Sequence, residues 1–325
     1  MIARSLVVAL REAGYQSEIW TTPQNRFGRQ FSAYAATRFT DVEWSDFLKV
    51  DRLISLRFPS YVLRHPYHVC WLNHRMREYY DLWPELTQSL RWYDKAKERI
   101  RRSFIHAADH YYLTHLKKLF AQSKNVQAGL QRWGKISSEL LYPPPPIQRT
   151  YFTESYGDFI LSPARLTPLK RVPLLVEALA LCPTGKVAIV GAGPESVKIA
   201  ELVTKYSLQD RVEMKGHVDD EHLSALYAKC KAVYYAPVNE DYGLVAVEAF
   251  RARKPVLTAT DSGGVLDVVT HMRSGFVVKP QPEEIALQIR RVFEESKLAE
   301  TLGSAGYEDT KHITWPDTIQ LLMSS

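Results

Sequence analysis

The 325-residue sequence contains little cysteine and no long hydrophobic run. Its three cysteines, Cys70, Cys182 and Cys230, lie far apart and form no Cys-x-x-Cys spacing. This distribution argues against a disulfide framework or a zinc site and makes a reducing cytoplasm the expected compartment. Because no stretch of about 18 apolar residues occurs, no membrane-spanning helix is predicted. The first residues, MIARSLVVALREAGY, lack a small-residue cleavage site and predict an amphipathic helix, not a signal peptide.

Acidic residues are slightly outnumbered by basic ones, which leaves a net charge of +6. This charge suits an anionic ligand or an anionic membrane surface, although a modest excess of surface lysine and arginine explains most of it. The sequence shows no basic patch with interleaved aromatic residues at a recognisable module, so a nucleic-acid partner is not expected. A chain of this length, 46% of it hydrophobic, can form two cores and is best interpreted as two domains.

From Tyr156 onward, short β-rich runs alternate with helical stretches. The strand candidates are DFILSPA, KVAIVGAG, RVEMKG, AVYYAP, PVLTAT and GFVVKP. The helical stretches between and after them are VPLLVEALALC, ESVKIAELVTKY, DDEHLSALYAKC, GLVAVEAFRAR, GVLDVVTH and PEEIALQIRRVFEES. Such alternation predicts right-handed βαβ units and a parallel sheet covered by helices on both faces. This half of the chain is therefore predicted to be an α/β domain of the Rossmann type.

The N-terminal half has a less regular pattern. A helix from Ile2 to Ala13 is predicted to lead into SEIWTT, and later strand candidates are DRLISLRF, HVCWLNH and KLFAQS. Long helical patterns cover residues 89–107 and 124–133. The proline run Pro143–Pro146 can continue neither a helix nor a central strand, so it marks the linker. We predict an N-terminal domain over 1–150, a C-terminal domain over 151–308, and a segment 309–325 whose helix crosses back to the first domain.

The chain opens on a helix, whereas a doubly wound domain normally begins with a strand and a glycine-rich turn. The N-terminal domain is therefore expected to lack its first strand. Another segment or a partner chain would then complete its sheet.

Ligands of open α/β sheets bind beyond the carboxyl ends of the strands, so the loops there are expected to carry the chemistry. The loop SPARLTPLKR places Arg165 and Lys170 before a helix N-terminus, an arrangement that favours a diphosphate, although a basic loop can also be merely solvated. After the next strand, Gly191 and Gly193 either allow close approach of a ligand or form a tight turn. The dinucleotide pattern would need glycine where Ser196 stands, which argues against an NAD- or flavin-dependent oxidoreductase.

Two glutamates follow the fourth strand in APVNEDYGLVAVEAFRARKPV. Glu240 lies in the loop, and Glu248 lies among apolar residues of the next helix. A buried carboxylate must find hydrogen-bond donors, and the vicinal diol of a ribose supplies two. The alternative for Glu248 is a salt bridge to Arg251 or Lys254. In the following loop, TATDSGGVLDVV, two adjacent glycines offer a bare backbone to phosphate or sugar oxygens.

These motifs, in this order over residues 156–295, resemble the nucleotide-binding half of glycosyltransferase family 4, in particular its mannosyltransferase-like members. Glu240 and Glu248 match the E-x7-E motif of that family. The resemblance implies the GT-B architecture of two facing Rossmann-like domains with parallel sheets, the donor bound mainly by the C-terminal domain, and transfer with retention at the anomeric carbon.

By the same resemblance, each candidate residue acquires a role. Arg165 and Lys170 would hold the donor diphosphate, Glu248 the ribose, Glu240 the transferred sugar, and the backbone near Val218 the base. The remaining donor-binding candidates are Gly191, Gly193, Asp241, Tyr242, Gly243, Leu244, Gly263 and Gly264.

A weaker match lies in WLNHRMREYYDLW. It is similar to a subset of the family with a His-x-x-Arg-x-x-x-Asp stretch, here His74, Arg77 and Asp81. These residues are expected either to face the acceptor and the transferred sugar, with His74 as a catalytic candidate, or to form an interior hydrogen-bond cluster. The family normally begins with a strand and a Gly-Gly loop near the donor, which this sequence lacks.

No suitable Asp-x-Asp pair occurs, and helix capping explains Asp219 and Asp220. No metal or other cofactor is therefore expected, and Arg165, Lys170 and helix dipoles would stabilise the leaving diphosphate. The predicted function is metal-independent, retaining transfer of a hexose from a GDP- or UDP-linked donor to a hydroxyl of a glycan or lipid-linked acceptor. The alternative is a sugar-nucleotide-binding protein without transferase activity, either incomplete at its N-terminus or dependent on a partner.

Several aromatic residues suggest where the protein works. Trp83, Trp92, Tyr79 and Tyr80 look exposed in the sequence pattern and, with the basic charge, suit peripheral association with the inner face of a membrane. They equally suit ordinary core packing. The expected location is cytoplasmic.

Overall fold

The chain divides into two units in the computed structural model, which describes residues 1–22, 28–45, 48–88 and 90–324. The N-terminal unit comprises Leu6–Tyr142 and the segment from Trp315 onward, and the C-terminal unit comprises Met1–Ser5 and Pro143–Thr314. The chain therefore changes unit at 5/6, 142/143 and 314/315, whereas the sequence predicted boundaries at 150/151 and 308/309.

The N-terminal unit combines a parallel sheet with helices. Its helices are α1 (Ile2–Glu12, which begins in the other unit), α2 (Gln30–Arg38), α3 (Trp83–Gln88), α4 (Trp92–Thr114) and α5 (Lys124–Gly134). Its strands are β1 (Trp44–Ser45), β2 (Leu48–Lys49), β3 (Leu53–Ser55), β4 (His68–Leu72), β5 (Lys118–Ala121) and β6 (Glu139–Leu140), and short 3₁₀ turns cover Ser60–Val62 and Arg77–Tyr79.

The main sheet of this unit has the order β3-β4-β5-β6, with all strands parallel. Cys70 of β4 lies opposite Leu119 of β5, and every residue of β4 is buried. A buried and mainly apolar run such as HVCWL is typical of a parallel strand covered on both faces. The predicted strand at SEIWTT is wrong, since residues 17–22 carry no regular structure. Strands β1 and β2 form a separate antiparallel pair.

Helix α4 packs a polar residue into the core of the N-terminal unit. Asp109 is fully buried and accepts hydrogen bonds from the hydroxyls of Tyr34, Tyr61 and Tyr80, the last at 2.7 Å. Burial raises the pKa of the Asp109 carboxyl, and the three tyrosine hydroxyls oppose that effect. This satisfied cluster joins α2, α4 and the two loops that carry the other tyrosines.

The C-terminal unit alternates strands and helices along the chain. Its strands are β7 (Phe159–Pro163), β8 (Lys186–Val190), β9 (Val212–Gly216), β10 (Ala232–Tyr234), β11 (Val256–Ala259) and β12 (Gly275–Val278). Its helices are α6 (Val172–Ala180), α7 (Ser196–Lys205), α8 (Asp220–Lys229), α9 (Leu244–Arg251), α10 (Pro282–Glu294) and α11 (Leu298–Thr310). The final helix, α12 (Trp315–Ser324), belongs to the N-terminal unit, where the Trp315 ring lies edge-on to Trp71.

The sheet of the C-terminal unit is entirely parallel, in the order β12-β11-β10-β7-β8-β9. Counted from β7, this is the doubly wound Rossmann order, and it confirms the predicted α/β fold class. The winding direction reverses between β7 and β10, which pair directly through Ile160 and Ala232. Loops that leave the carboxyl ends of these two strands must diverge, and the crevice between them is the usual ligand site of such sheets.

Two parts of this unit differ from the sequence pattern. The stretch GVLDVVTH forms only a 3₁₀ turn, Gly264–Asp267, because glycine and β-branched valines favour the α-helix weakly. Helix α11, which contains two glycines, was not predicted. Gly303 and Gly306 let it lie directly against the Arg253 backbone and the Phe250 ring, so tertiary packing offsets its poor helix propensity.

The predicted exposed aromatics separate into two groups. Tyr79 and Tyr80 are buried and Trp83 is half-buried, whereas Trp92 is 81% exposed. The expectation of exposure is therefore wrong for the two tyrosines, which complete the core around α4. Among the described residues, no helix has both the length and the apolar character needed to span a bilayer.

Candidate functional site at the switch point of the C-terminal sheet

A cation, a carboxylate and a phenol meet where the sheet changes winding direction. Lys170, in the loop after β7, donates to the Glu240 carboxylate in the loop after β10. The same ammonium donates to the hydroxyl of Tyr235 at 3.0 Å. Tyr235 follows the last residue of β10 and is buried. Residues 70 positions apart thus form one polar cluster because β7 and β10 are neighbours in the sheet.

The Tyr235 hydroxyl also lies within electrostatic reach of two further candidates. Burial raises the pKa of Tyr235 well above its ordinary value, the Glu240 and Glu248 carboxylates raise it further, and Arg165 lowers it. Arg165 is exposed, and among the described residues it has no ion-pair partner. The buried Tyr235 phenol therefore accepts a hydrogen bond from Lys170 and lies within electrostatic range of Arg165, Glu240 and Glu248.

Glu248, on α9, is 3% exposed and receives two donors. One carboxylate oxygen accepts from Arg149 at 2.8 Å, and the other accepts from the Tyr227 hydroxyl at 2.8 Å. Burial raises the pKa of the Glu248 carboxyl, and the Arg149 guanidinium is the largest opposing influence. A carboxylate has about four lone-pair sites, so two sites remain for further donors.

The alternative salt bridge from Glu248 to Arg251 or Lys254 is wrong. Arg251 donates to the carbonyl of Ile313 at 2.7 Å. Lys254 is buried, donates to the Ser155 carbonyl and lies 3.9 Å from the centre of the Tyr156 ring. Burial lowers the pKa of Lys254 to about 8. Helical spacing placed both cations near Glu248 in sequence, but their side chains leave the helix in other directions.

Arg149 links Glu248 to the start of α8. Its guanidinium also donates to Asp220 at 2.6 Å. The prediction that capping explains both aspartates is therefore only half right. Asp219 is the N-cap of α8 and accepts from the backbone N–H of His222 at 2.8 Å, whereas Asp220 pairs with Arg149.

The candidate glycines lie where two loops touch backbone to backbone. Gly191 and Gly263 have positive φ values of 124° and 62°. A Cβ on Gly191 would overlap the Ala164 carbonyl, and a Cβ on Gly263 would overlap the Glu240 backbone. Gly193, Gly243 and Gly264 are packed in the same way against the backbone of Leu166, Val265 and Asp241. Each of these glycines therefore allows two backbone segments to lie in contact, and these contacts hold the loops of the cluster in place.

Arg171, which sequence reasoning missed, ties three loops together. Its guanidinium donates to the Pro237 carbonyl at 2.9 Å and to Asp261 at 2.7 Å. Its own carbonyl accepts from Tyr234 at 3.0 Å. The loops after β7, β10 and β11 are consequently fixed relative to one another, which positions Lys170 and Glu240.

The remaining donor-side candidates lie around the same strand ends. Tyr242 is buried, and its hydroxyl donates to the carbonyl of Pro143, in the linker, at 3.0 Å. Leu244 begins α9, and Asp241 is half-buried beside it. Val218 is half-buried in the loop between β9 and α8.

The N-terminal candidates form a local group at the carboxyl end of β4. Arg77 and Asp81 lie 4.0 Å apart, and the Trp133 indole donates to Asp81 at 3.4 Å. The His74 ring bonds the carbonyl of its neighbour Arg75 through Nδ1 at 2.7 Å, which leaves Nε2 as its second polar atom. Arg77 and Asp81 thus contact each other, and His74 stands two residues beyond the strand.

Sequence reasoning missed Arg149, Tyr227 and Tyr235. Tyr235 had a detectable signal, because a polar residue at the carboxyl end of a predicted strand marks the ligand edge of the sheet. Arg149 and Tyr227 had none, since only the folded chain brings them to Glu248.

This geometry defines a nucleotide-binding type of Rossmann domain with charged groups at its switch point. Residues 150–309 match the family described as glycosyl transferases group 1. The C-terminal half of the chain is thus a glycosyltransferase group 1 domain.

Curated relatives match part of the chain. The chain is 30% identical over 120 residues to human alpha-1,3/1,6-mannosyltransferase ALG2, which covers 37% of this chain and 29% of that protein. It is 26% identical over 206 residues to an uncharacterised glycosyltransferase of Methanocaldococcus jannaschii, which covers 63% of this chain and 58% of that protein. The chain thus spans less than two thirds of the length of these relatives.

Solved structures share the fold at lower identity. Sucrose-phosphate synthase from Thermosynechococcus elongatus matches with a TM-score of 0.69 and 20% identity over 99% of this chain and 91% of that one. Anabaena HepE in complex with UDP-glucose matches with a TM-score of 0.59 and 19% identity over 80% and 85%. These likenesses show the two-domain GT-B fold.

Proposed function

We propose that the protein is a retaining glycosyltransferase that moves a hexose from a GDP- or UDP-linked donor to a hydroxyl of a glycan or lipid-linked acceptor. The observation that carries this proposal is the Lys170–Glu240 pair, anchored on buried Tyr235 at the switch point. An ammonium suits a diphosphate, and a neighbouring carboxylate suits sugar hydroxyls. The mannosyltransferase activity in the name of ALG2 and the UDP-glucose bound by HepE belong to those proteins and support the same substrate class.

The donor diphosphate would bind between Arg165 and Lys170. Arg165 is exposed at the rim and free to turn toward an anion, and Lys170 can exchange one oxyanion for another. The first turn of α9 adds N–H groups that have no acceptor within the helix, and its dipole favours negative charge. Together these groups would neutralise the diphosphate without a metal ion.

The transfer would break the bond between the anomeric carbon and the phosphate oxygen and form one to the acceptor oxygen on the same face. The acceptor proton would pass to the departing phosphate oxygen, so no enzyme nucleophile is needed. Arg165 and Lys170 would stabilise the charge that develops on the leaving diphosphate. His74, Arg77 and Asp81 are proposed to serve the acceptor side.

Glu248 would bind the ribose hydroxyls of the donor with its remaining lone pairs. Its position in the first turns of α9, close enough to Tyr235 to affect that pKa, agrees with this role. The Arg149 guanidinium favours the charged form of the carboxyl, because it opposes the effect of burial on the pKa of Glu248.

We also propose that the protein works in the cytoplasm, at the inner face of a membrane. Helix α4 exposes an apolar ridge, defined as Tyr93, Ile100, Phe104 and Tyr111, at spacings that share one helix face. Exposed Lys97 and Arg99 flank it. An apolar stripe between basic residues is typical of helices that lie on anionic bilayers.

Calorimetric unfolding with nucleoside diphosphates and their sugars tests the donor. A matching ligand should raise the melting temperature of the C-terminal unit, since it binds only the native state. Turnover with a candidate acceptor should persist in EDTA.

Lys170→Met should lower kcat by about 10²-fold, because it removes a cation that stabilises the leaving diphosphate. Lys205→Met, an exposed control on α7, should leave kcat unchanged.

Binding without turnover would instead identify a sugar-nucleotide-binding protein. Stabilisation by NAD and by no sugar nucleotide would reject the proposal altogether. Loss of activity in EDTA that added Mg²⁺ restores would overturn the metal-free mechanism alone.

A further inference from the structure

A cavity of about 440 Å³ lies in the N-terminal unit, at the edge of the sheet opposite His74. It is bounded by the residues that precede β4 and β5, together with the end of α2 and the end of α4. Its volume falls within the roughly 300–1,000 Å³ usual for small-molecule sites. The glycosyltransferase proposal assigns nothing to it, because that site lies at the carboxyl ends of strands in the other unit.

Three cations border this cavity without a carboxylate partner among the described residues. They are Arg38, Arg64 and Lys117. The half-buried guanidinium of Arg38 lies 5.8 Å from the centre of the Tyr112 ring. The Lys117 ammonium lies 5.5 Å from the centre of the Tyr67 ring. Like charges that border one cavity repel one another, so an anion placed between them would be stabilised.

Two of the three histidines that border the cavity, His65 and His68, are hydrogen-bonded to neighbouring groups of the protein. His65 is held through both ring nitrogens, Nε2 to the Val50 carbonyl at 2.9 Å and Nδ1 to the Tyr67 N–H at 3.1 Å. His68 bonds Ser55 at 2.8 Å, and burial lowers its pKa to about 4. His68 is thus neutral at physiological pH, and the three cations supply the charge.

We propose that this cavity binds a phosphate monoester. Glu43 is the one carboxylate among the described lining residues, so three cations against one anion leave a formal excess of two positive charges. A phosphate monoester carries about −1.5 to −2 at neutral pH, which matches that excess. A carboxylate, with a single charge, would leave the cluster unbalanced. The ligand is either a soluble phosphomonoester or the headgroup of phosphatidic acid.

Calorimetric titration of the full chain with inorganic phosphate tests the site. Arg64→Gln and Lys117→Gln should each weaken binding about 10-fold, because each removes one charge-assisted hydrogen bond. Glu43→Gln should tighten binding by removing the opposing charge. Arg132→Gln, an exposed arginine of α5, is the matched control and should bind as the wild type does. Weakened binding in Arg64→Gln and Lys117→Gln, neither of which belongs to the donor site, separates this cavity from that site.

Vesicles of phosphatidylcholine with and without phosphatidic acid distinguish the two sources. Retention on phosphatidic acid vesicles that depends on Arg64 and Lys117 would identify the lipid headgroup, and binding of free phosphate alone would identify a soluble ligand. Both results support the site. Equal phosphate affinity in wild type, Arg64→Gln and Lys117→Gln, or the absence of saturable binding, would overturn it whether or not the protein transfers sugar.

Discussion

Glu248 shows how a buried carboxylate can be hydrogen-bonded within the protein and still have lone pairs for a ligand. A carboxylate that is 3% exposed would normally protonate, and here Arg149 and Tyr227 each donate to one of its oxygens. Removal of Arg149 takes away the largest influence that opposes the rise in the pKa of the Glu248 carboxyl on burial. The same change also frees one oxygen for a ligand. Nucleotide binding as a function of pH separates these two effects.

Substitution of Arg149 should change the pH range in which nucleotide binds. The ribose hydroxyls require an ionised Glu248 as acceptor, so binding should weaken as pH falls through the pKa of this carboxyl. In Arg149→Met that pKa is higher, and the loss should begin at higher pH. Below both pKa values the two proteins should bind equally weakly, and above both they should bind equally well. Between them the affinity of the variant should fall about tenfold for each pH unit below its own pKa. Titration calorimetry with the stabilising nucleoside diphosphate across pH measures this.

Glu248→Gln is the control for that experiment, because it cannot titrate and should show weak binding with a flat pH profile. Superimposable profiles for wild type and Arg149→Met would mean that Glu248 does not bind the ribose through its charge.

One face of helix α4 packs into the core, and the opposite face is exposed to solvent. Its inner face places Ile105, Asp109 and Leu113 in the core, whereas its outer face carries the apolar ridge, in which Ile100 is 73% exposed. Phe31 of α2 extends the ridge, since its ring lies 4.1 Å from the ring of Phe104. A helix that packs one face into the core and exposes apolar side chains on the opposite face has an apolar surface that can contact a bilayer.

Charge placed on this ridge should release the protein from anionic vesicles. Ile100→Glu introduces a negative charge beside acidic headgroups and removes the apolar area of an exposed isoleucine. We expect at least about a tenfold loss of partitioning, which corresponds to the roughly 1.5–3 kcal/mol of one buried aliphatic side chain. Vesicle sedimentation measures it. Val197→Glu on α7, at a position 69% exposed, is the matched control, and an equal loss in both variants would contradict a specific role for α4.

In the part of the chain that the structure describes, each unit contains a hydrophobic cluster of its own. The cluster of the C-terminal unit extends from Ile160 to Leu302, and that of the N-terminal unit extends from Ala33 to Ile136. All seven tryptophans lie in the N-terminal unit, so tryptophan fluorescence follows that unit alone. The unfolding transition that shifts when nucleotide binds is expected to report on the C-terminal unit.

Asp109→Ala should therefore affect the two signals differently. It leaves three buried tyrosine hydroxyls without their acceptor, which should destabilise the N-terminal unit by on the order of 3 kcal/mol. The fluorescence transition should move to lower temperature, and the affinity for nucleoside diphosphate should stay unchanged. Loss of nucleotide affinity in a variant whose C-terminal unit remains folded would show that the donor site depends on the N-terminal core.

Local pattern in the sequence was enough to specify the α/β class, the alternation of strands and helices after Tyr156, and the loops that carry Lys170 and Glu240. Those features depend on residues a few positions apart, and apolar periodicity records them directly. Periodicity was misleading where the residues are poor intrinsic helix formers, as at α11 and at the turn after Gly263.

Folding was needed to bring Arg149 to Glu248 across 99 residues and Lys170 to Tyr235 across 65. Neither pairing has a sequence spacing that could predict it, because strand order in the sheet sets which loops become neighbours. The burial of Tyr79 and Tyr80 and the cations around the cavity follow from tertiary packing for the same reason. A linear pattern records which face of an element is apolar, but not which distant group lies against its polar side chains.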